Sequence, residues 1–115
     1  MTVKLLNLKS TEDVIADVSE IIFEEKCVGY NLKYPYVISL SKVQQVLSEE
    51  VDGDRLSVNY SPWNPLSSDT EYQIPADWVV TISEPLPKLK QSYESKIDAK
   101  ERTMLALEDR TSSHL

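Results

Sequence analysis

Proline does most to limit how this chain folds. It stands at positions 35, 62, 65, 75, 85 and 87, and neither proline nor glycine follows Pro87. A locked φ and a missing N–H break helices and central strands. The stretch from Pro35 to Pro87 is therefore cut into short pieces, while the stretch from Lys88 onward is uninterrupted. The short pieces carry the β-branched and aromatic residues that favour strands. Val3 to Leu8 puts Val3 and Leu5 on one face and ends at the polar turn Lys9-Ser10-Thr11-Glu12. Asp13 to Phe23 alternates, with Val14, Ala16, Val18 and Ile22 on one side and Asp17 and Ser19 on the other. Glu20, Ile21 and Phe23 break that alternation, which predicts a bulge or strong curvature near Glu20.

Cys27 to Leu32 and Tyr36 to Leu40 read as further extended pieces; between Tyr36 and Leu47 the apolar spacing fits strand or helix, and Pro35 favours strand at its start. Asp52-Gly53 signals a hairpin tip, followed by an alternating strand over Leu56 to Tyr60. Ser61 to Asp77 reads as a long connection, and Trp78 to Ile82 as a last strand stopped by Pro85 and Pro87. Leu86, Leu89, Tyr93 and Ile97 recur at helical spacing, so a helix follows. Lys90 with Glu94 and Asp98 with Arg102 are i,i+4 pairs on it, each contributing about 0.2 to 0.5 kcal/mol. The organisation expected is a mostly β domain over residues 1–86, a helical tail over 87–103 and a frayed end over 104–115.

Chemistry is sparse in these 115 residues. The formal charge of −7 disfavours a polyanion as partner, and two glycines are too few for a phosphate-cradling loop. The lone histidine, His114, sits beside the C-terminus, so no nucleophile has a base, and Cys27 reads as a structural thiol beside Glu24 and Glu25. No metal-ligand spacing is present, and no cofactor is expected. The Asp52-Gly53-Asp54 tip lacks the ligand pattern of a calcium loop. The first eight residues are a poor signal peptide and no apolar run spans a bilayer, so a reducing cytoplasmic setting without a membrane is expected. Trp63, Tyr72 and Trp78, interleaved with Pro62, Pro65 and Pro75, form either a binding surface or an ordered loop over the end of a small barrel.

Leu8-Lys9-Ser10-Thr11-Glu12-Asp13-Val14-Ile15-Ala16-Asp17-Val18 resembles the first Sm motif, with Thr11 where that pattern carries its turn glycine and Ala16 at its second small position. Trp63-Asn64-Pro65, the strand from Ile74 to Pro85 and the Leu89/Tyr93 tail resemble Sm-like proteins of marine and cyanophage origin. The resemblance covers about residues 1–98. It implies a small five-stranded Sm-like (SH3-like) barrel with a C-terminal helix, no catalysis, and assembly into a homo-oligomeric ring, a homopentamer by its phage-like relatives. In such rings the fourth strand of one subunit pairs with the fifth of the next, which makes Leu56, Val58, Tyr60, Trp78, Val80 and Ile82 the implied interface. Single-stranded RNA is the implied ligand, with Lys26, Tyr30 and Asn31 at the matching positions and Trp63 or Trp78 outside them. A homo-oligomeric scaffold without RNA is the alternative. The acidic balance and the missing basic-glycine step of the second Sm motif weigh against RNA.

Overall fold

The computed structural model describes residues 1–40 and 58–113, with side chains as far as Thr103. Six strands form one antiparallel sheet: β1 (Val3–Leu8), β2 (Asp13–Phe23), β3 (Lys26–Leu40), β4 (Val58–Pro62), β5 (Glu71–Pro75) and β6 (Val79–Ser83). One helix, α1 (Pro87–Ser113), follows. The strand order is β4-β3-β2-β1-β6, and β5 also pairs with β3. The mostly β character and the helix match the sequence reading; the five-stranded closed barrel does not, because the sheet has a sixth strand and stays open. That extra strand, β5, lies inside the stretch from Ser61 to Asp77 read as a connection. Pro75 hid it, yet a terminal position costs proline no ladder hydrogen bond.

β3 explains how one strand serves two neighbours. Its first half, Gly29 to Lys33, pairs with β5, and its second half, Tyr36 to Leu40, pairs with β4. The two halves join at Tyr34, whose φ of 51° lies in the left-handed region. On the β2 side the ladder skips there, from Ile15 opposite Tyr36 to Asp17 opposite Lys33. The pieces Cys27 to Leu32 and Tyr36 to Leu40 are thus one bent strand. The bulge expected near Glu20 is there, between Ile21 and Ile22, and a second lies at this bend.

Both faces of the sheet are buried, each against something different. Leu6, Leu8, Val14, Ala16, Val18, Leu32 and Ile74 form one cluster, joined by Tyr30 of β3, Trp63 and Ile82 of β6. Among the described residues no helix packs on it. Val3, Ile15, Tyr34, Tyr36, Tyr93 and Ile97 form the second, beneath α1. The Tyr93 hydroxyl donates to the carbonyls of Lys33 (3.1 Å) and Tyr34 (2.7 Å), pinning the helix at the β3 bend. Tyr93 and Ile97 are fully buried, as their spacing predicts, whereas Leu86 is exposed. The helix continues past Thr103, where its apolar stripe fades. Neither Lys90–Glu94 nor Asp98–Arg102 closes, whereas Lys4 and Glu84 form an ion pair.

Candidate functional site

β4, β5 and β6 are each bonded on one side only among the described residues, and β4 and β6 end the strand order. β4 is held inward by Tyr60, which meets Tyr36 edge to face at 6.2 Å and donates its hydroxyl to Ser92 of α1 at 3.2 Å. β6 differs. Its ladder with β1 runs Asn7–Thr81 and then Leu8–Val79, so Val80 is the extra residue of a bulge. Bulges re-aim side chains, and Val80 is 65% exposed while Val79 and Ile82 pack on the first cluster. Trp78, 40% exposed, occupies a 3-10 turn (Ala76–Trp78) rather than the strand, and its carbonyl accepts from the Lys9 N–H. Of the six expected interface residues, Val80 and Trp78 therefore present apolar surface, Tyr60 and Ile82 serve the chain's own core, and Val58 is half-buried on β4. Leu56 lies outside the described residues, as do the Asp52-Gly53 tip and the stretch from Ser41 to Leu47.

The expected RNA contacts do not share one surface. Tyr30 and Asn31 are neighbours on β3 and so face opposite sides of the sheet. The Tyr30 ring packs on the first cluster, and its phenol is pushed above the usual range by a hydrogen bond with the Cys27 side chain, by burial and by the charge of Glu20. Asn31 lines a shallow cavity of about 230 Å³ with Thr2, Asp17, Ser19, Lys33 and Glu71. Lys26 is at the β2–β3 hairpin tip beside Glu24 and Glu25. Trp63 is committed internally: its indole N–H donates to Glu12 Oε1 at 3.2 Å, and its ring meets Tyr72 edge to face at 5.5 Å. Trp63 fastens the loop after β4 to the β1–β2 turn, which agrees with the ordered-loop alternative for this segment.

Three features escaped the sequence reading. The first is an aromatic cluster under α1, where Lys96 lies over the rings of Tyr36 and Tyr60 and Lys100 over those of Tyr34 and Tyr36, at 5.3 to 5.6 Å. The second is the β2–β3 tip, where Ile22, Phe23 and Val28 are all exposed. Ile22, expected on the core side of β2, lies beyond the core with Glu20 and is exposed, and the ladder slip between Ile21 and Ile22 leaves Val28 without an opposite residue. The third is an apolar groove of about 260 Å³ lined by Leu5, Ile38, Leu40, Val58, Leu86 and Leu89. A stripe of period 3.6 announces a buried helix face; slipped ladders and grooves have no such signature.

Among the described residues no helix is long and apolar enough to cross a membrane. No group of three or more histidine, cysteine, aspartate or glutamate side chains is placed to hold a metal ion among them. No curated protein matches the sequence. A family model does, over residues 1–98, which takes in the whole sheet, the β6–α1 link and the helix as far as Ile97 and Asp98. The chain therefore belongs to DUF6561, a family of unknown function.

Proposed function

We propose that the protein is a non-catalytic module that assembles with copies of itself through the two sheet ends, β4 of one copy pairing with β6 of the next. The observation that carries this is the sheet order, which leaves β4, β5 and β6 each with an unbonded edge among the described residues, β6 offering Val80 and Trp78 beside it. An unpaired edge invites another chain unless it is blocked, and β6 carries neither proline nor lysine. Pairing of unlike edges is head-to-tail, so it closes into a ring when the rotation per subunit allows. The Sm-like resemblance favours that ring, with five subunits. The division of Tyr30, Asn31, Lys26 and Trp63 among separate surfaces supports a scaffold over an RNA ring.

Light scattering on the full chain tests the reading. A mass several times 13.1 kDa, falling to one chain in Val80→Lys, is the expected result. A monomer across micromolar concentrations overturns it. Oligo(U) or oligo(A) binding that weakens with salt would restore the RNA reading.

A further inference from the structure

We infer that the pocket where β3 changes neighbours is a binding site for a proline-rich segment of another protein. The site goes beyond the assembly reading and needs only one copy of the chain. β3 pairs with β5 as far as Lys33 and with β4 from Tyr36 onward, so its two partners part at Tyr34 and Pro35. A pocket of about 210 Å³ opens between them, with Tyr34, Pro35 and Tyr36 as its floor, Trp63 and Tyr72 as aromatic walls, and the exposed Lys100 of α1 at its edge. The floor is strained. Tyr34 holds a φ of 51°, a conformation that bulky residues rarely adopt and that collects at ligand sites.

The walls are tied down by the pocket's own residues. The Trp63 N–H donates to the Pro35 carbonyl at 3.1 Å, the Tyr34 N–H to the Thr70 carbonyl at 2.8 Å and the Ser67 N–H to the Asn64 carbonyl at 3.1 Å. The Tyr72 hydroxyl donates to the Asp69 carbonyl at 2.8 Å, and the Trp63 indole N–H is taken by Glu12. The backbone carbonyls of Pro35, Asn64, Asp69 and Thr70 are therefore already satisfied, and Trp63 offers its ring but no donor. Ring surface and donors remain for a ligand. The Lys100 ammonium bonds the Tyr36 hydroxyl at 3.3 Å and has N–H groups to spare, the Ser67 hydroxyl accepts from the Asp69 N–H and can itself donate, and Asn64 adds an amide.

These groups select the occupant. A proline-rich segment brings rings that pack on aromatic faces and carbonyls that accept, and its prolines carry no N–H that would need a partner. Such a segment is extended before it binds, so docking on an aromatic-lined surface costs it little freedom. Charge agrees: Lys100 and Asp69 are the charged groups among the described lining residues, one of each sign, so the pocket does not attract a polyanion. Lys100 already stands over the Tyr34 and Tyr36 rings at 5.5 and 5.6 Å, the place where an aromatic cage would hold a foreign cation. The volume is also below the roughly 300 Å³ at which small-molecule sites begin, which suits a length of chain lying across the opening.

Fluorescein-labelled decaproline tests this by fluorescence anisotropy, against a glycine-serine peptide of the same length. The expected result is saturable binding of decaproline alone. Lys100→Met, at an exposed position, should weaken it about fivefold, and Lys100→Arg should restore it. Fluorine NMR of the full chain labelled with fluorotryptophan locates the contact. The chain has two tryptophans, and the signal that remains in Trp78→Phe belongs to Trp63; that signal should shift with decaproline while the Trp78 signal stays. Absence of saturable binding overturns the proposal, and so does a Trp78 shift without a Trp63 shift, or a Lys100→Met chain that binds as tightly as the parent. Light scattering without peptide reads the assembly separately, so either idea can fail alone.

Discussion

Gly29→Ala probes the strand that sequence reasoning missed. Gly29 is buried in β3 opposite Pro75, and a Cβ built there would stand 2.5 Å from the backbone oxygen of Ile74. Ordinary contact begins near 3.4 Å, so β5 must retreat by about 0.9 Å. The obstacle is backbone, and no side chain can rotate aside. The displaced segment carries Ile74, a member of the first core cluster, and it leads directly into the turn that sets β6. Forcing an extra methyl into a packed site costs about 1 to 3 kcal/mol. Alanine recovers about 0.5 to 1 kcal/mol, because glycine loses more freedom on folding. A backbone obstacle puts the cost in the upper half of that range, about 2 to 3 kcal/mol, so a net loss of about 1 to 2.5 kcal/mol remains, a fall in Tm of roughly 4 to 20 °C for a domain near this size. Chemical denaturation followed by circular dichroism reads it, with Gly29→Val more severe. An alanine variant as stable as the parent would show that β5 does not press on β3 as described.

Thr11 is a β-branched residue at φ 73° in the β1–β2 turn, a conformation that costs about 1 to 2 kcal/mol; Thr11→Asn, which tolerates it, should gain about 0.5 to 1 kcal/mol in the same denaturation assay. Tyr93→Phe leaves the carbonyls of Lys33 and Tyr34 without their donor and should cost about 1 to 3 kcal/mol by urea titration. Burial pushes the Tyr93 phenol well above its ordinary range. The folded value is the higher one, so its contribution is complete below about pH 10 and is lost as pH rises towards the folded value. Absorbance titration should show a tyrosine ionisation that comes only as the chain unfolds and that is missing in Tyr93→Phe. Val80→Lys should leave the monomer fold intact, since Val80 is turned out of the sheet, while lowering the assembled mass by light scattering.

The alternation rule carries the sequence reading as far as the ladders stay in step. Val14, Ala16 and Val18 are buried together because β1 and β2 pair residue for residue from Val3–Asp17 to Asn7–Asp13. Tyr93 and Ile97 were legible for the same reason at period 3.6. Three slips lie beyond that logic: the bend at Tyr34, the unpaired Val28, and Val80 on β6. A bulge adds one residue to one strand only, so it depends on which residues face each other across the sheet, a relation that neither strand's own sequence contains. Val80 follows from this: it looks like a core residue by type and is turned outward.

One of those slips also governs what the chain offers to others. The bulge on β6 places Val80, 65% exposed, beside an unbonded edge. Had β6 stayed in register with β1, period 2 would put Val80 on the face of Ile82, which packs on the first cluster. The apolar surface beside that edge is thus produced by the irregularity that interrupts the ladder. Deleting Val80 is the direct test: it should restore unbroken pairing of β6 with β1, hold the denaturation midpoint within a few degrees and lower the assembled mass by light scattering. An assembled mass that survives the deletion would mean that the bulge does not aim the contact.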